Sequence, residues 1–171
     1  KQLLGKRFER FVEYWLRYGG RFEVLMANEQ LKNGSVTIGE VDYLIKETLT
    51  GEILHLEVAS KYYLGYNNSS LWSNWIGLNA SDTLADKMTK FERQLNIFHA
   101  KEGMELLSHE RIKSPKSFLM MKGFFFYYWR NVMNAKSPKL STKNHHTGVY
   151  LKEEEIGDFF TGFNSWIVLS K

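Results

Sequence analysis

The stretch Ile38-Gly39-Glu40-Val41-Asp42-Tyr43-Leu44-Ile45, followed after a short turn by His55-Leu56-Glu57-Val58-Ala59-Ser60-Lys61, decides how the chain is read. Thr50-Gly51 lies between the two runs and Asn33-Gly34 precedes the first, so both borders carry hairpin punctuation. Three strands are therefore expected, over 22–31, 37–47 and 52–64, joined as an antiparallel meander. Strand side chains alternate, which puts Glu57, Ala59 and Lys61 on one face and Leu56, Val58 and Ser60 on the other. The apolar row Leu54, Leu56, Val58 marks the core side, leaving Glu57 and Lys61 on a wetter side or in a cleft. Pairing within the same hairpin brings Asp42 toward Glu57. Two carboxylates held close repel unless a proton or a cation lies between them. An all-oxygen donor set, with no Cys and no clustered His, favours Mg²⁺ or Mn²⁺ over Zn²⁺. Water on such an ion can attack a phosphodiester, with Lys61 orienting it or stabilising the transition state. From spacing alone, a plain cross-strand pair of surface charges, Asp42 or Glu57 against Lys61, remains the competing reading.

Working outward, residues 2–18 read as an amphipathic helix with Phe8, Phe11, Val12, Trp15 and Leu16 on its apolar stripe and Gly19-Gly20 as its stop. Glu9 and Glu13 lie one turn apart beside that stripe. Residues 65–81 read as a long polar loop carrying Trp72 and Trp75, either a base-stacking lid or a satellite hydrophobic cluster. Ser81 or Asp82 caps a helix expected to run to about Lys101, with Leu84, Met88, Phe91, Leu95 and Phe98 on one face. A short helix over 104–109, a long apolar strand over 116–129 and a loop over 131–146 follow. A strand over 148–151, a helix over 153–161 and a last strand over 165–169 end the chain.

The 171 residues suit a single domain covering 1–171, with 43% hydrophobic and 25% charged residues. Zero cysteines exclude a disulfide scaffold, a thiolate zinc site and a cysteine nucleophile. No apolar run spans a bilayer and no signal peptide heads the chain, so a cytoplasmic location without a membrane partner is expected. The chain starts at Lys1 rather than Met and closes on the apolar run Ser165–Leu169, which leaves open that it is a piece of a longer protein. The net charge of +4 hides an uneven distribution. Arg111 to Lys152 holds nine basic residues and no acid, against fourteen basic and nineteen acidic residues elsewhere. Phe124-Phe125-Phe126-Tyr127-Tyr128-Trp129 is interleaved with that stretch, a pairing of cations and flat rings that suits a polyanion with stackable bases. A buried strand followed by a solvated lysine-rich loop gives the same pattern.

A helix bearing Glu9, a hairpin reading Gly39-Glu40-Val41-Asp42, and Glu57 on the next strand resemble the PD-(D/E)XK nuclease superfamily. More narrowly, Leu4-Gly5-Lys6-Arg7-Phe8-Glu9, the Gly39–Asp42 run, His55 to Gly65, and Trp75-Ile76-Gly77-Leu78-Asn79 resemble a bacterial domain-of-unknown-function family assigned to that superfamily. The resemblance implies a restriction-endonuclease-like α/β fold, a mixed central sheet flanked by helices. It also implies dependence on Mg²⁺ or Mn²⁺ and hydrolysis of nucleic acid, DNA ahead of RNA, with a homodimer open. Carried over, Asp42 and Glu57 are metal ligands, the Val58 carbonyl is a further ligand, Glu9 stands at the edge of the site and Lys61 is the catalytic cation. Glu40 is an auxiliary acid or an ordinary strand charge, and Glu13 has the same two readings. Lys87, Lys90 and Gln94 on the following helix are expected to contact substrate phosphate, with Lys122, Arg130, Lys136, Lys139 and Lys143 extending the contact. The superfamily's Glu-x-Lys motif is broken here, since Ala59 holds the Lys position and Lys61 stands one strand repeat further on.

The remaining motifs point nowhere sharper. His145-His146 reads as loop or phosphate contact, His55 as structural or substrate-positioning, and neither a P-loop nor a Gly-x-Ser-x-Gly elbow occurs. Three other readings stand beside a nuclease: a catalytically inactive nucleic-acid-binding module, a protein-interaction domain for an acidic partner, and hydrolysis of another phosphate ester.

Overall fold

Gly51 takes φ 72° in the second hairpin turn, a conformation a glycine adopts without steric cost. Beside it Thr50 N–H donates to Glu47 Oε2 at 2.7 Å. Such turns make β1 (Phe22–Asn33), β2 (Val36–Glu47) and β3 (Ile53–Gly65) consecutive antiparallel strands, as the meander reading expects. The structure is a computed structural model and describes residues 4–79 and 81–161; the strand expected over 165–169 lies outside the described residues. The fold is mixed α/β. Its six-stranded sheet has the order β1-β2-β3-β5-β6, with β4 (Trp75–Gly77) also paired to β3, β5 spanning Lys116–Tyr128 and β6 spanning Thr147–Tyr150. β5 and β6 run parallel, so the sheet is mixed. Four helices flank it: α1 (Leu4–Tyr18), α2 (Leu84–Leu95), α3 (Lys101–His109) and α4 (Ile156–Thr161). Among the described residues no helix is long and apolar enough to cross a membrane.

The chain divides into two compact units, one formed by residues up to Lys61 with Ala85–Gly123, the other by Tyr62–Leu84 with residues from Phe124 onward. In the first unit the sheet is buried on both faces. Tyr43 and Ile45 of β2 pack with Val58 against Val12 and Leu16 of α1. Leu44, one position out of phase, packs with Leu31, Ile97, Phe98 and Leu107. Each fully buried aliphatic chain contributes about 1.5–3 kcal/mol. Gly123 ends this unit's share of β5 at φ 151°, and a Cβ there would collide with the Lys61 backbone carbonyl. In the second unit Trp75 is completely buried, in edge contact with Phe125 at 4.8 Å and Tyr127 at 4.9 Å, and its Nε1–H donates to Ser69 O at 2.8 Å. Trp72 Nε1–H donates to Lys139 O at 2.9 Å.

Three expectations need correction. The helix foreseen as far as Lys101 ends at Leu95: Asn96 leaves helical geometry, and a 3₁₀ turn over Ile97–His99 drives Ile97 and Phe98 into the core before α3 begins. Phe11 is 70% exposed and Trp15 48% exposed. The stripe of α1 that meets the core is therefore the narrower row Phe8, Val12, Leu16; Glu9 and Glu13 on one flank line a cavity, and Phe11 and Trp15 lie on the opposite flank. The segment after β3 is not wholly loop, since it holds a 3₁₀ turn at Trp72–Asn74 and β4, and buried Trp75 is a core residue rather than half of a lid. Glu57 is fully buried and lines a cavity, the cleft alternative of the sequence reading.

Candidate active site

The β2–β3 ladder runs from Lys46↔Ile53 to Tyr43↔Leu56. One step further, at Asp42 and Glu57, side chains bond where a ladder would use backbone. Val58 N–H donates to Asp42 Oδ2 at 2.8 Å, and Asp42 N–H points at Glu57 Oε1 at 3.4 Å. The two acids are thus locked together by each other's strand. Glu57 is further held by His55, two residues earlier on the same strand face, whose Nε2 lies 2.9 Å from Glu57 Oε1 and whose Nδ1 lies 3.0 Å from Ser117 Oγ. Nε2 faces a carboxylate and so carries the donor proton. His55 is fully buried and its ring meets Phe98 edge-on at 5.0 Å. Two donors converge on Oε1, whereas Glu57 Oε2 is buried without a hydrogen-bond partner among the described residues. Leaving such an oxygen unsatisfied costs about 1–3 kcal/mol. Burial pushes the Asp42 carboxyl up from 3.8 to about 6; the Glu57 charge adds to the rise, Glu9 and Glu40 contribute less, and the Val58 N–H opposes it.

The pair forms part of the wall of a cavity of about 540 Å³ that lies wholly in the first unit. From α1 come Lys6, Glu9, Arg10 and Glu13; from the sheet Asn28, Glu40, Asp42, Tyr43, Glu57 and Val58; from α2 Lys87, Lys90, Phe91 and Gln94. Tyr43 fixes α1 in place by donating from its hydroxyl to Glu9 O at 3.0 Å, and burial pushes that hydroxyl up to about 12. Glu13 pairs with Arg17 at 2.9 Å. The Lys87 ammonium sits 4.1 Å from the Phe91 ring centroid. Gln94 Oε1 is buried without a hydrogen-bond partner among the described residues.

A hard dication fits this donor set. Mg²⁺ is held by one or two carboxylates and keeps several waters. Asp42, Glu57 Oε2 and the Val58 backbone supply oxygens, and no sulfur or free imidazole competes. Among the described residues no group of three or more His, Cys, Asp or Glu side chains is placed to hold a metal ion, and Glu9 joins the pair only as a residue of the same cavity wall.

The cavity therefore brings together Asp42, Glu57, Val58, Glu9, Glu40, Glu13, Lys87, Lys90 and Gln94 of the residues singled out in the sequence. Lys61 is not among its lining residues. Lys122 is exposed in the first unit; Lys136, Lys139 and Lys143 are exposed in the second. Arg130 is engaged in the second unit, with Glu155 at 3.1 Å, Asp158 at 2.6 Å and the Trp129 ring at 4.4 Å. His145 is bound to Tyr127 and Thr142, and His146 stacks on Phe124. Sequence reasoning passed over Lys6, Arg10, Asn28 and Ser117, and it left the bond from His55 to Glu57 undrawn. The spacing of Lys6, Glu9, Arg10 and Glu13 does carry a signal, a charged arc on one side of α1; Ser117 and Asn28 carry none. No curated protein and no solved structure matches the chain. Over residues 1–171 it matches, and therefore belongs to, the family described as Domain of unknown function (DUF1853).

Proposed function

We propose that this protein is a divalent-metal-dependent nuclease of the restriction-endonuclease-like class, hydrolysing phosphodiester bonds in nucleic acid with Mg²⁺ or Mn²⁺. The observation that carries the reading is the carboxylate pair Asp42–Glu57, one buried oxygen unsatisfied and one acid pushed up to about 6, in a cavity that also holds cations. Such a pair is relieved by a dication. When bound, the ion supplies charge neutralisation at the phosphate and an ionisable water. Asp42, Glu57 and the Val58 carbonyl are its protein ligands in this reading. His55 keeps Glu57 Oε1 occupied so that Oε2 is the oxygen presented. Lys6 and Arg10 from α1, with Lys87 and Lys90 from α2, draw in the phosphodiester backbone and hold it over the acids. With Ala59 where the motif expects lysine, these four are the cations at hand. Incubation with DNA and RNA panels plus Mn²⁺ tests the proposal. Metal-dependent cleavage abolished by Asp42→Ala and Glu57→Ala is the expected result, and cleavage persisting equally in both removes the site.

One observation favours a second reading. The displaced Lys61 fits a module of the same fold that binds nucleic acid without cutting it. Such a module gives salt-sensitive binding and no turnover with any dication.

A further inference from the structure

Asn28 sits in the middle of β1 with φ 55°, in the left-handed region that non-glycine residues avoid. No turn or bulge calls for this. The ladder holds one register on both sides, Ala27↔Tyr43 and Glu29↔Val41, while the register shifts of β1 fall elsewhere, between Val24 and Met26 and between Leu31 and Lys32. The shared register sets Asn28 across from Asp42, at a step where the ladder itself skips a pair. Asn28 is exposed and lines the same cavity as Asp42, Glu57, Lys90 and Gln94. A left-handed conformation strains an L-residue, Asn less than most, and glycine would remove the strain. Such backbone conformations cluster at ligand-binding sites, and this one lies at a cavity that holds the paired acids.

The chemistry of the position narrows its use. A lysine opposite Asp42 would pair with the acid and compete with a dication, and a further acid would repel the substrate. A neutral amide offers two N–H donors while leaving the carboxylate pair free. We infer that Asn28 is a substrate-binding residue of this cavity, its side-chain amide donating a hydrogen bond to a phosphate oxygen of a bound polynucleotide. The inference rests on the nuclease reading for its substrate.

The test pairs Asn28→Gly with Asn28→Asp. Three quantities are measured on each variant and on the parent: melting temperature, calorimetric Mn²⁺ affinity, and the Kd of a fluorescent oligonucleotide by anisotropy. Asn28→Gly relieves the backbone, so its melting temperature is expected to equal or exceed the parent's, and Mn²⁺ affinity is expected to be unchanged. Oligonucleotide Kd is expected to rise about tenfold, the equivalent of one hydrogen bond to a charged group. Asn28→Asp keeps the left-handed preference but adds repulsion, and its Kd is expected to rise further. An unchanged Kd in Asn28→Gly overturns the inference. So does a raised Kd accompanied by a lowered melting temperature or by lost Mn²⁺ affinity, since either makes Asn28 a structural or metal-site residue. If the parent itself binds no oligonucleotide, the nuclease reading fails and this inference fails with it. A parent that binds, beside an indifferent Asn28→Gly, fails the inference alone.

Discussion

Asp42 with Glu57 in the first unit and Glu155 in the second are withdrawn acids treated in opposite ways. Each Glu155 oxygen has donors: the Tyr128 hydroxyl, the Lys152 N–H at 2.9 Å and Arg130 Nε at 3.1 Å. Led by the Tyr128 hydroxyl, they hold its carboxyl down at about 2. Glu57 shares its donors on one oxygen and leaves the other bare, and Asp42 beside it is pushed up to about 6. The chain can build a complete cradle of donors for a carboxylate, and it does so at Glu155, which lies just before α4 and bonds Tyr128 at the end of β5 and Arg130 beyond it. Where it leaves the cradle open, charge from outside has a place to enter.

The sharpest way to break this contrast is by activity. Asp42→Asn and Glu57→Gln are each expected to lower Mn²⁺-dependent cleavage about a thousandfold, while Glu155→Gln changes it less than about twofold. Initial rates on a labelled oligonucleotide decide it, and equal losses in all three erase the distinction. The next effect is on folding. His55→Ala strips a buried donor from Glu57 and is expected to cost about 3 kcal/mol by urea titration, with Mn²⁺ affinity down about 10- to 100-fold. An unchanged affinity would free His55 from the site.

Two pH experiments give the smaller effects, with opposite signs. Folded Asp42 holds its proton more tightly than the unfolded chain does, so the folded state binds the extra proton between about pH 4 and pH 6. Stability linked to this group is full below that window and declines as pH rises through it. Without metal, Asp42→Asn is expected to be more stable than the parent by about 1 kcal/mol at pH 7, after discounting for solvent screening, and level with it near pH 4. Glu155 runs the other way: its contribution is present above pH 4.5 and is lost as pH falls toward 2. Glu155→Gln is therefore expected to melt lower than the parent at pH 7, with the gap closing in acid. Melting curves of both variants across pH 2–7 check the pair, and parallel slopes would contradict it.

How far the sequence could be read depends on what each residue's neighbours fix. Alternation and two Gly turns sufficed to place Asp42 across from Glu57, because register in a hairpin is set locally. The break at Asn96 was invisible, since Leu95 and Phe98 continue a helical period that the sheet overrides by pulling in Ile97. Phe11 and Trp15 were assigned to the wrong side of α1 for a related reason: an amphipathic pattern gives an apolar arc but not the part of it that meets the core. Asn28 leaves little trace, since Asn tolerates the left-handed region but nothing in a strand-like run signals that it adopts it.

The end of the β2–β3 ladder carries a further consequence. Asp42 and Glu57 take the amide protons of Val58 and Asp42, so both acids are rivets of the hairpin as well as candidate ligands. Any residue that takes the place of either acid must therefore still accept an amide proton, as the side-chain oxygen of Asn or Gln can, if this end of the hairpin is to stay fastened.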